Sequence, residues 1–353
     1  MTNEIIHDIR GHAGVLTLNR PKAINALNQT MIDEMTAVLK DWQDDDRVKL
    51  VILRGAGERG LCAGGDVAAL YHDALEGGTA GAHFWKTEYE LNYLISTYSK
   101  PYVALMEGIV LGGGIGVSAH ASHRIVCEDS RIGMPEVGIG YSPDAGGSYL
   151  LSRAADRLGR HLAYTAIHVG AAEAIDTGFA DYFVPKDKLD ALVEQLVETG
   201  DPADIEKFTE SVGPGFGKDR AEMVDVYAAD TAEETLARLQ ERAAAGGDGH
   251  WAAKAAKRMS LNSPLGIRVT EESLNRNASM SFAETLTQEF WMSVNMQKHK
   301  EFVEGIRAQI VDKDRNPSWE YESIGAVPAD VVASILEPGE GSVEAPAFDA
   351  SED

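Results

Sequence analysis

The stretch PYVALMEGIVLGGGIGVSA, residues 101–119, decides the fold of this chain. Its first half is almost entirely apolar, which is typical of a β-strand that is buried on both faces. Three consecutive glycines, Gly112 to Gly114, then lead into a run with the composition of a short helix. A helix start leaves backbone N–H groups without partners, and a glycine-rich turn lets them point outwards. The stretch therefore predicts a strand–turn–helix unit of an α/β fold, with free backbone donors at the turn.

The same pattern occurs on the N-terminal side of this stretch. LCAGGDVAAL, residues 61–70, also runs from glycines into a helix start, and it follows the apolar strand VKLVILRGAG at residues 48–57. Before them, residues 4–9 and 15–20 alternate apolar with polar side chains around a turn, which predicts a β-hairpin. Strands that alternate with helices indicate an α/β fold with a core sheet, arranged here as a spiral of strand–strand–helix repeats. Two glycine-rich helix starts that converge would form an oxyanion hole with two donors.

Three regions are predicted along the chain. Residues 1–187 form the α/β core, and from residue 188 to 336 the apolar spacing is helical, with capping residues at Thr231 and Ser281. Residues 337–353 contain no Lys or Arg and are rich in Pro, Gly and acids, so a disordered acidic tail is expected there.

The overall charge excludes several kinds of partner. The 353 residues carry a formal net charge of −24, so the surface repels the phosphate backbone of nucleic acids and anionic lipids. A small anionic ligand stays compatible with a locally positive site. The two cysteines, Cys62 and Cys127, suggest no disulfide framework, and the N-terminus lacks the pattern of a signal peptide. We expect a soluble, cytoplasmic protein that binds neither nucleic acid nor membrane.

Two acids stand in an apolar setting in RIGMPEVGIGYSPDAGG, residues 131–147. Burial of Glu136 and Asp144 would raise the pKa of at least one carboxyl group, which suits acid–base or nucleophilic chemistry. The alternative is structural: Glu136 would cap a strand end and Asp144 would cap the next helix.

GAGERG, residues 55–60, fits a dinucleotide-binding pattern, but no helix starts at its glycines, so we interpret it as a surface turn.

Taken together, these motifs resemble one family. LNRPKAINALN, LCAGGD, EGIVLGGGIGVSAHASHRIV, MPEVGIGYSPDAGGSYLL and GAAEAIDTGFADYFV, spread over residues 5–187, are similar to the crotonase (enoyl-CoA hydratase/isomerase) superfamily. The resemblance implies a crotonase-like spiral and an acyl-CoA thioester as substrate. It also implies that the N–H groups of Gly65 and Gly113 hold the thioester oxygen. It implies no metal or redox cofactor, coenzyme A being part of the substrate.

Departures from that pattern point to one branch. Where a typical hydratase has a second glutamate after the glycines, this chain has Gly116, and where the hydratase has a glycine after the proline of the next turn, this chain has Asp144. AGGD, MPE and PDAGG resemble the 3-hydroxyisobutyryl-CoA hydrolases of valine breakdown, as does the C-terminal stretch from NSPLGIRV to about residue 320. 3-Hydroxypropionyl-CoA is a neighbouring substrate that the sequence does not separate.

The resemblance also implies roles for individual residues. Glu136 would attack the carbonyl carbon as a nucleophile or activate water as a general base. Asp144 would orient the water or the substrate hydroxyl, or move a proton, and Glu88 would contact the polar end of the acyl group. For coenzyme A, we expect contacts with the main-chain groups of Lys22, Ala23, Ala63 and Asp66. The Lys22 ammonium group would also contact a phosphate.

Two other functions stay open at this point. One is an enoyl-CoA hydratase or isomerase that uses a single glutamate, and the other is a non-catalytic relative that binds acyl-CoA. The resemblance also implies a homo-oligomer, a trimer or, because of the longer helical end, a smaller assembly.

Overall fold

The computed structural model describes residues 3–247, 249–338 and 343–348. In chain order the strands are β1 (Ile5–Arg10), β2 (Ala13–Leu18), β3 (Leu50–Gly55), β4 (Tyr102–Leu105), β5 (Ile109–Leu111), β6 (His123–Val126), β7 (Arg131–Gly133) and β8 (Tyr182–Phe183). The helices are α1 (Gln29–Gln43), α2 (Val67–Glu76), α3 (Ala80–Ser96), α4 (Gly113–Ser118), α5 (Gly147–Arg153), α6 (Gly159–Thr165), α7 (Ala171–Asp176), α8 (Leu189–Thr199), α9 (Arg220–Tyr227), α10 (Ala232–Gly246), α11 (Trp251–Leu261), α12 (Pro264–Asn277), α13 (Phe282–Met296), α14 (Lys300–Ile306) and α15 (Ala329–Leu336).

The core is a six-stranded sheet in the order β1-β2-β3-β4-β6-β8. The predicted hairpin is confirmed, since β1 pairs antiparallel with β2, and every other neighbouring pair in this sheet is parallel. β3 and β4 are central and carry side chains that are buried on both faces, which explains their continuous apolar sequence. The expected α/β fold with a helical C-terminal region is confirmed.

A second, two-stranded sheet places the glycine-rich turn beside the acidic segment. β5 and β7 run parallel, with Leu111 opposite Gly133. The chain therefore leaves both strands at the same edge, where β5 leads into α4 and β7 leads into a 3₁₀ turn, Glu136–Ile139. Isolated parallel bridges, including one between Cys62 and Val110, extend this arrangement to the LCAGGD segment. Three sequence motifs that lie far apart in the chain thus come together at one edge.

The helices after β8 cover that edge. α13 packs against α3, and α12 packs against α5. One hydrophobic core contains residues from both sides of the predicted boundary at 187, such as Trp85 and Tyr89 from α3 and Phe290 from α13. The C-terminal helices therefore complete the core of the α/β part and share its interior.

The structure describes part of the predicted acidic tail. Residues 343–348 lie along the outer face of α3, where the Phe348 ring lies 4.8 Å from that of Tyr93 and Glu344 forms an ion pair with Lys86 at 3.4 Å. Composition alone does not indicate these contacts, because a single aromatic residue hardly changes the composition of an acidic segment. Residues 339–342 and 349–353 of the predicted tail lie outside the described residues. In the described part of the chain, no helix is long and apolar enough to cross a membrane.

Candidate active site

Two backbone N–H groups face the same point at the sheet edge. A methyl group added at Gly113 would lie 3.3 Å from the Gly65 nitrogen, and one added at Gly64 would lie 3.7 Å from the Gly113 nitrogen. Gly113 is the first residue of α4, so its N–H is one of those that a helix leaves unpaired. Within the described residues, neither the Gly65 nor the Gly113 N–H donates a hydrogen bond to the protein. The structure therefore brings together the two donors that the sequence predicts for an oxyanion hole.

Glu136 lies directly beside this pair of donors. It opens the 3₁₀ turn after β7, and its side chain is only 5% exposed. Gly112 has a φ of +50°, and a methyl group there would lie 2.8 Å from Glu136 Oε1, so a larger residue would push the carboxyl group away. Glu136 Oε2 is buried without a hydrogen-bond partner among the described residues. This carboxyl group is therefore directed into the site and does not hold the strand end.

Asp144 lies in the loop between the 3₁₀ turn and α5. Its Oδ2 accepts hydrogen bonds from the hydroxyl groups of Tyr89 at 2.7 Å and Tyr141 at 3.1 Å. Both hydroxyl groups also contact Ser293 Oγ, on α13. The alternative that Asp144 caps the next helix is wrong, because the N-cap of α5 is Gly146 and no side chain of its own segment caps it.

Glu88 approaches the same point from α3. It is 2% exposed, and a methyl group added at Gly113 would lie 2.4 Å from Glu88 Oε1. That oxygen, like Glu136 Oε2, is buried without a hydrogen-bond partner in the described part of the chain. A bound ligand with a hydroxyl group is the simplest way to satisfy such an oxygen, because an unpaired buried acceptor is unfavourable.

The three carboxyl groups titrate abnormally because they are buried together. Burial, and then the charge of Asp144, raise the pKa of Glu136 and of Glu88 well above the ordinary value. Burial also raises the pKa of Asp144, to about 6, while the hydrogen bonds from Tyr89 and Tyr141 oppose this rise. Carboxyl groups held close together in a water-poor site release their protons as a coupled set, at a higher pH than exposed carboxyl groups do.

A fourth buried acid, Glu289, was missed by sequence reasoning. It lies on α13 and accepts hydrogen bonds from the backbone N–H groups of Gly146 at 2.7 Å and Ser148 at 3.1 Å. These N–H groups belong to the start of α5, so Glu289 caps that helix from a distant part of the chain. The half-buried His120 ring bonds the Ala145 carbonyl oxygen at 3.0 Å. The loop that carries Asp144 is thus fixed from two sides. The only local sequence feature that could have indicated Glu289 was an acidic residue in an apolar helical stretch.

These groups line one cavity of about 410 Å³. The inner end contains Gly65, Gly113 and the three carboxyl groups, and aromatic side chains such as Trp85 form its wall. The outer end is lined by residues of the C-terminal helical region, including Arg258 and Gln309. The described residues contain no group of three His, Cys, Asp or Glu side chains arranged to hold a metal ion.

The predicted coenzyme A contacts are only partly placed at this cavity. Ala63 lines it, but Lys22 and Ala23 lie in an exposed 3₁₀ turn outside its lining. The backbone N–H groups of Ala23, Ala63 and Asp66 are used inside the protein, as donors to Arg20, Ile24 and Leu27. These three N–H groups are therefore not available to coenzyme A. Main-chain contacts from these residues would have to come from their carbonyl oxygens.

The enoyl-CoA hydratase/isomerase family model matches residues 13–336. The chain belongs to this family. Among curated members it is 35% identical over 337 residues to the mitochondrial 3-hydroxyisobutyryl-CoA hydrolase of Danio rerio, covering 92% of this chain and 87% of that protein. It is also 35% identical over 335 residues to 3-hydroxyisobutyryl-CoA hydrolase 1 of Arabidopsis thaliana, covering 90% of this chain and 87% of that protein.

Solved structures of family members share the whole fold. One described as a carnitinyl-CoA dehydratase from Mycobacterium thermoresistibile superposes with a TM-score of 0.91 at 41% identity, covering 97% of this chain and 99% of that one. Another, described as an enoyl-CoA hydratase from Rhodobacter sphaeroides 2.4.1, has a TM-score of 0.87 at 38% identity, covering 95% and 98%. The helical C-terminal region is therefore part of a fold that these family members have in common.

The departure at Gly116 has a structural counterpart in this family member. A methyl group added at Gly116 would lie 2.8 Å from Asn92 Nδ2 and 2.9 Å from the Ala145 Cβ. The fully buried Asn92 side chain therefore occupies the space beside Gly116. A second glutamate of the hydratase kind would not fit at this position without displacing Asn92 and the loop of Asp144.

Proposed function

We propose that this chain hydrolyses the thioester bond of 3-hydroxyisobutyryl-CoA and releases 3-hydroxyisobutyrate and coenzyme A. One observation carries the proposal: three buried carboxyl groups converge on two free backbone N–H groups in one cavity. The names of the Danio rerio and Arabidopsis thaliana relatives support this substrate.

The N–H groups of Gly65 and Gly113 would bind the thioester carbonyl oxygen. When a nucleophile adds to the carbonyl carbon, this oxygen becomes negatively charged, and two fixed donors stabilise it. Loss of one such donor typically lowers the rate by about 10²–10³-fold. The donors belong to the backbone of short-range turns, so they need no rearrangement during the reaction.

Glu136 would supply the attack in one of two ways. As a general base it removes a proton from water, whose oxygen adds to the carbonyl carbon while the C–S bond breaks and the thiolate takes up a proton. As a nucleophile its carboxylate forms a mixed anhydride with loss of the thiol, and water then cleaves the anhydride. Single turnover in ¹⁸O-labelled water separates the routes, because only the anhydride route can leave ¹⁸O in the Glu136 carboxyl group.

Asp144 and Glu88 would act on the other polar groups of the reaction. The two tyrosine hydroxyl groups fix Asp144 Oδ2, which leaves its Oδ1 to orient water or to move a proton. Glu88 Oε1 has no hydrogen-bond partner among the described residues and would accept the hydrogen bond of the substrate 3-hydroxyl group. This contact favours a 3-hydroxyacyl group over a plain acyl group.

The test is a substrate panel that follows the release of free thiol. We expect 3-hydroxyisobutyryl-CoA and 3-hydroxypropionyl-CoA to be hydrolysed much faster than isobutyryl-CoA, which lacks the hydroxyl group. Equal rates for isobutyryl-CoA and 3-hydroxyisobutyryl-CoA would contradict the role of Glu88. Absence of thiol release from every ester, with coenzyme A esters still bound, would favour a non-catalytic relative.

The same panel addresses hydration. The solved relatives are described as a dehydratase and a hydratase, so crotonyl-CoA is included and the loss of its conjugated double bond is followed. Because Asn92 occupies the space beside Gly116, we expect no hydration above background.

The proposed hydrolysis uses only the thioester and water as reactants. The cytoplasmic location and the oligomeric state expected from the sequence remain predictions.

A further inference from the structure

The outer end of the cavity is basic, unlike the chain as a whole. Arg258 and His168 line it, and Arg131 lies near enough for its positive charge to act on His168. All three side chains are exposed to solvent. We call these three residues the basic rim. Because the chain carries a net charge of −24, a cluster of exposed basic residues at the mouth of the cavity needs an explanation.

The helix that carries Arg258 is also basic. The sequence of α11, WAAKAAKRMSL, contains three basic residues and no acidic residue. Lys254 and Arg258 are four positions apart, so they share one face of the helix. The positive charge at the rim is therefore not neutralised from within its own helix.

Arg258 is oriented by the protein but has no acidic partner. Its Nε and Nη2 donate to the carbonyl oxygens of Thr165 at 2.9 Å and Ala166 at 2.5 Å. Among the described residues, no carboxylate forms an ion pair with it, and no acceptor bonds its Nη1. Arg20, near the predicted coenzyme A residues, differs: Glu4 and Asp66 both pair with it, at 3.2 and 3.1 Å. Unlike Arg20, Arg258 is therefore free to meet an anion.

We propose that the basic rim binds a phosphate group of coenzyme A, with Arg258 as the main contact and His168 as a second donor. The inference rests on the proposed function, since it assumes that the ligand is a coenzyme A thioester. The pantetheine arm separates the phosphates from the thioester, so a phosphate site has to lie outside the carboxyl end of the cavity. Arginine suits this role because its planar group stays charged and donates to two phosphate oxygens at once.

The pKa of His168 offers a second way to detect a bound phosphate. Partial burial, and then the positive charges of Arg258 and Arg131, lower the pKa of His168. A bound phosphate would offset these charges and raise that pKa again. NMR titration of His168 with and without coenzyme A measures this change directly and does not depend on turnover.

The main experiment compares two substrates and two variants. Arg258→Gln is expected to raise the KM for 3-hydroxyisobutyryl-CoA by roughly 10- to 100-fold, the range for a lost charge-assisted hydrogen bond. The KM for the pantetheine thioester of the same acid, which has no phosphate, should not change. Lys257→Gln is the matched control, because Lys257 is an exposed cation on the same helix that does not line the cavity, and it should change either KM by less than twofold. His168→Gln should give a smaller effect with the same substrate dependence.

The outcomes separate the phosphate site from the proposed reaction. An equal effect of Arg258→Gln on both thioesters would overturn the inference, because it would show a structural role through Thr165 and Ala166. An effect confined to Lys257→Gln would overturn it as well. If the protein hydrolyses neither ester, calorimetric binding of coenzyme A and of pantetheine to the same variants still decides, since the phosphate site predicts a loss for coenzyme A alone. Dephospho-coenzyme A then shows whether the 3′-phosphate or the diphosphate is bound.

Discussion

The two halves of the active site differ in how their polar groups are satisfied. The α/β part contributes Gly65, Gly113 and Glu136, whose N–H groups and Oε2 have no protein partner within the described residues. The helical part contributes Ser293 and Glu289 from α13, and each of these side chains contacts two or more protein groups. Unsatisfied groups face the ligand, and satisfied groups hold others in place. The α/β half is therefore expected to carry the chemistry and the helical half to position it.

The largest expected effect follows from removing the carboxylate of the α/β half. Glu136→Gln keeps the shape but removes the nucleophile or base, so kcat should fall by about 10²–10⁴-fold. Thiol release from 3-hydroxyisobutyryl-CoA is the measurement, with circular dichroism as the control for folding. A folded variant with kcat within tenfold of the unchanged protein would show that Glu136 does not attack.

Asp144 lies where the two halves meet, and it should have the second-largest effect. Asp144→Asn removes the charge that accepts from Tyr89 and Tyr141, and we expect kcat to fall by roughly 10²-fold. Tyr141→Phe removes the longer of these hydrogen bonds and the contact with Ser293 but keeps the Asp144 charge, so its kcat should fall by less than tenfold. If Tyr141→Phe were as damaging as Asp144→Asn, the tyrosine and not the aspartate would be the reacting group.

The difference between the halves also explains what the sequence could predict. Gly65, Gly113 and Glu136 stand in short local patterns, strand–glycine–helix and an acid in an apolar turn, and the resemblance to the crotonase superfamily implied that they converge. Glu289 and Ser293 lie on a helix whose sequence shows only amphipathic spacing, and their partners are far away in the chain. The hydrogen-bond partners of polar atoms in a local turn are set by nearby residues. The partners of polar side chains on a packed helix depend on which face of the helix contacts which loop.

Glu289→Gln tests the positioning half directly. An amide group cannot accept hydrogen bonds on both ends, so one N–H group among Gly146 and Ser148 would lose its partner, at about 1–3 kcal/mol. We expect a lower melting temperature and a kcat reduced roughly tenfold with KM little changed, because the loop of Asp144 shifts. Glu284→Gln is the control on the same helix, where glutamine also serves as a cap. Equal effects of both changes would remove the positioning role.

Glu88 should show its burial in the pH dependence of stability. Its folded pKa is raised above the unfolded value, so its contribution to stability is complete below about pH 4 and is lost as the pH rises toward the folded pKa. Glu88→Gln cannot ionise, so it should become more stable than the unchanged protein by up to about 1.4 kcal/mol per pH unit in that range. Urea unfolding at pH 5 and pH 8 measures the gap, and Glu76→Gln at an exposed position is the control. If the difference in free energy of unfolding between Glu88→Gln and the unchanged protein did not increase with pH, the pKa of Glu88 would not be raised by burial.

The smallest expected effect concerns the segment 343–348, which lies on the outer face of α3 and not in the cavity. Phe348→Ala removes a partly buried ring from Tyr93, which should reduce the free energy of unfolding by about 1 kcal/mol. The inner face of α3 carries Glu88 and Tyr89, and Tyr89 is fixed in the core by packing and by its hydrogen bond to Asp144, so kcat and KM should change by less than twofold. If kcat fell tenfold while stability hardly changed, the outer segment would determine the position of α3, and the positioning half would extend beyond the helices that line the cavity.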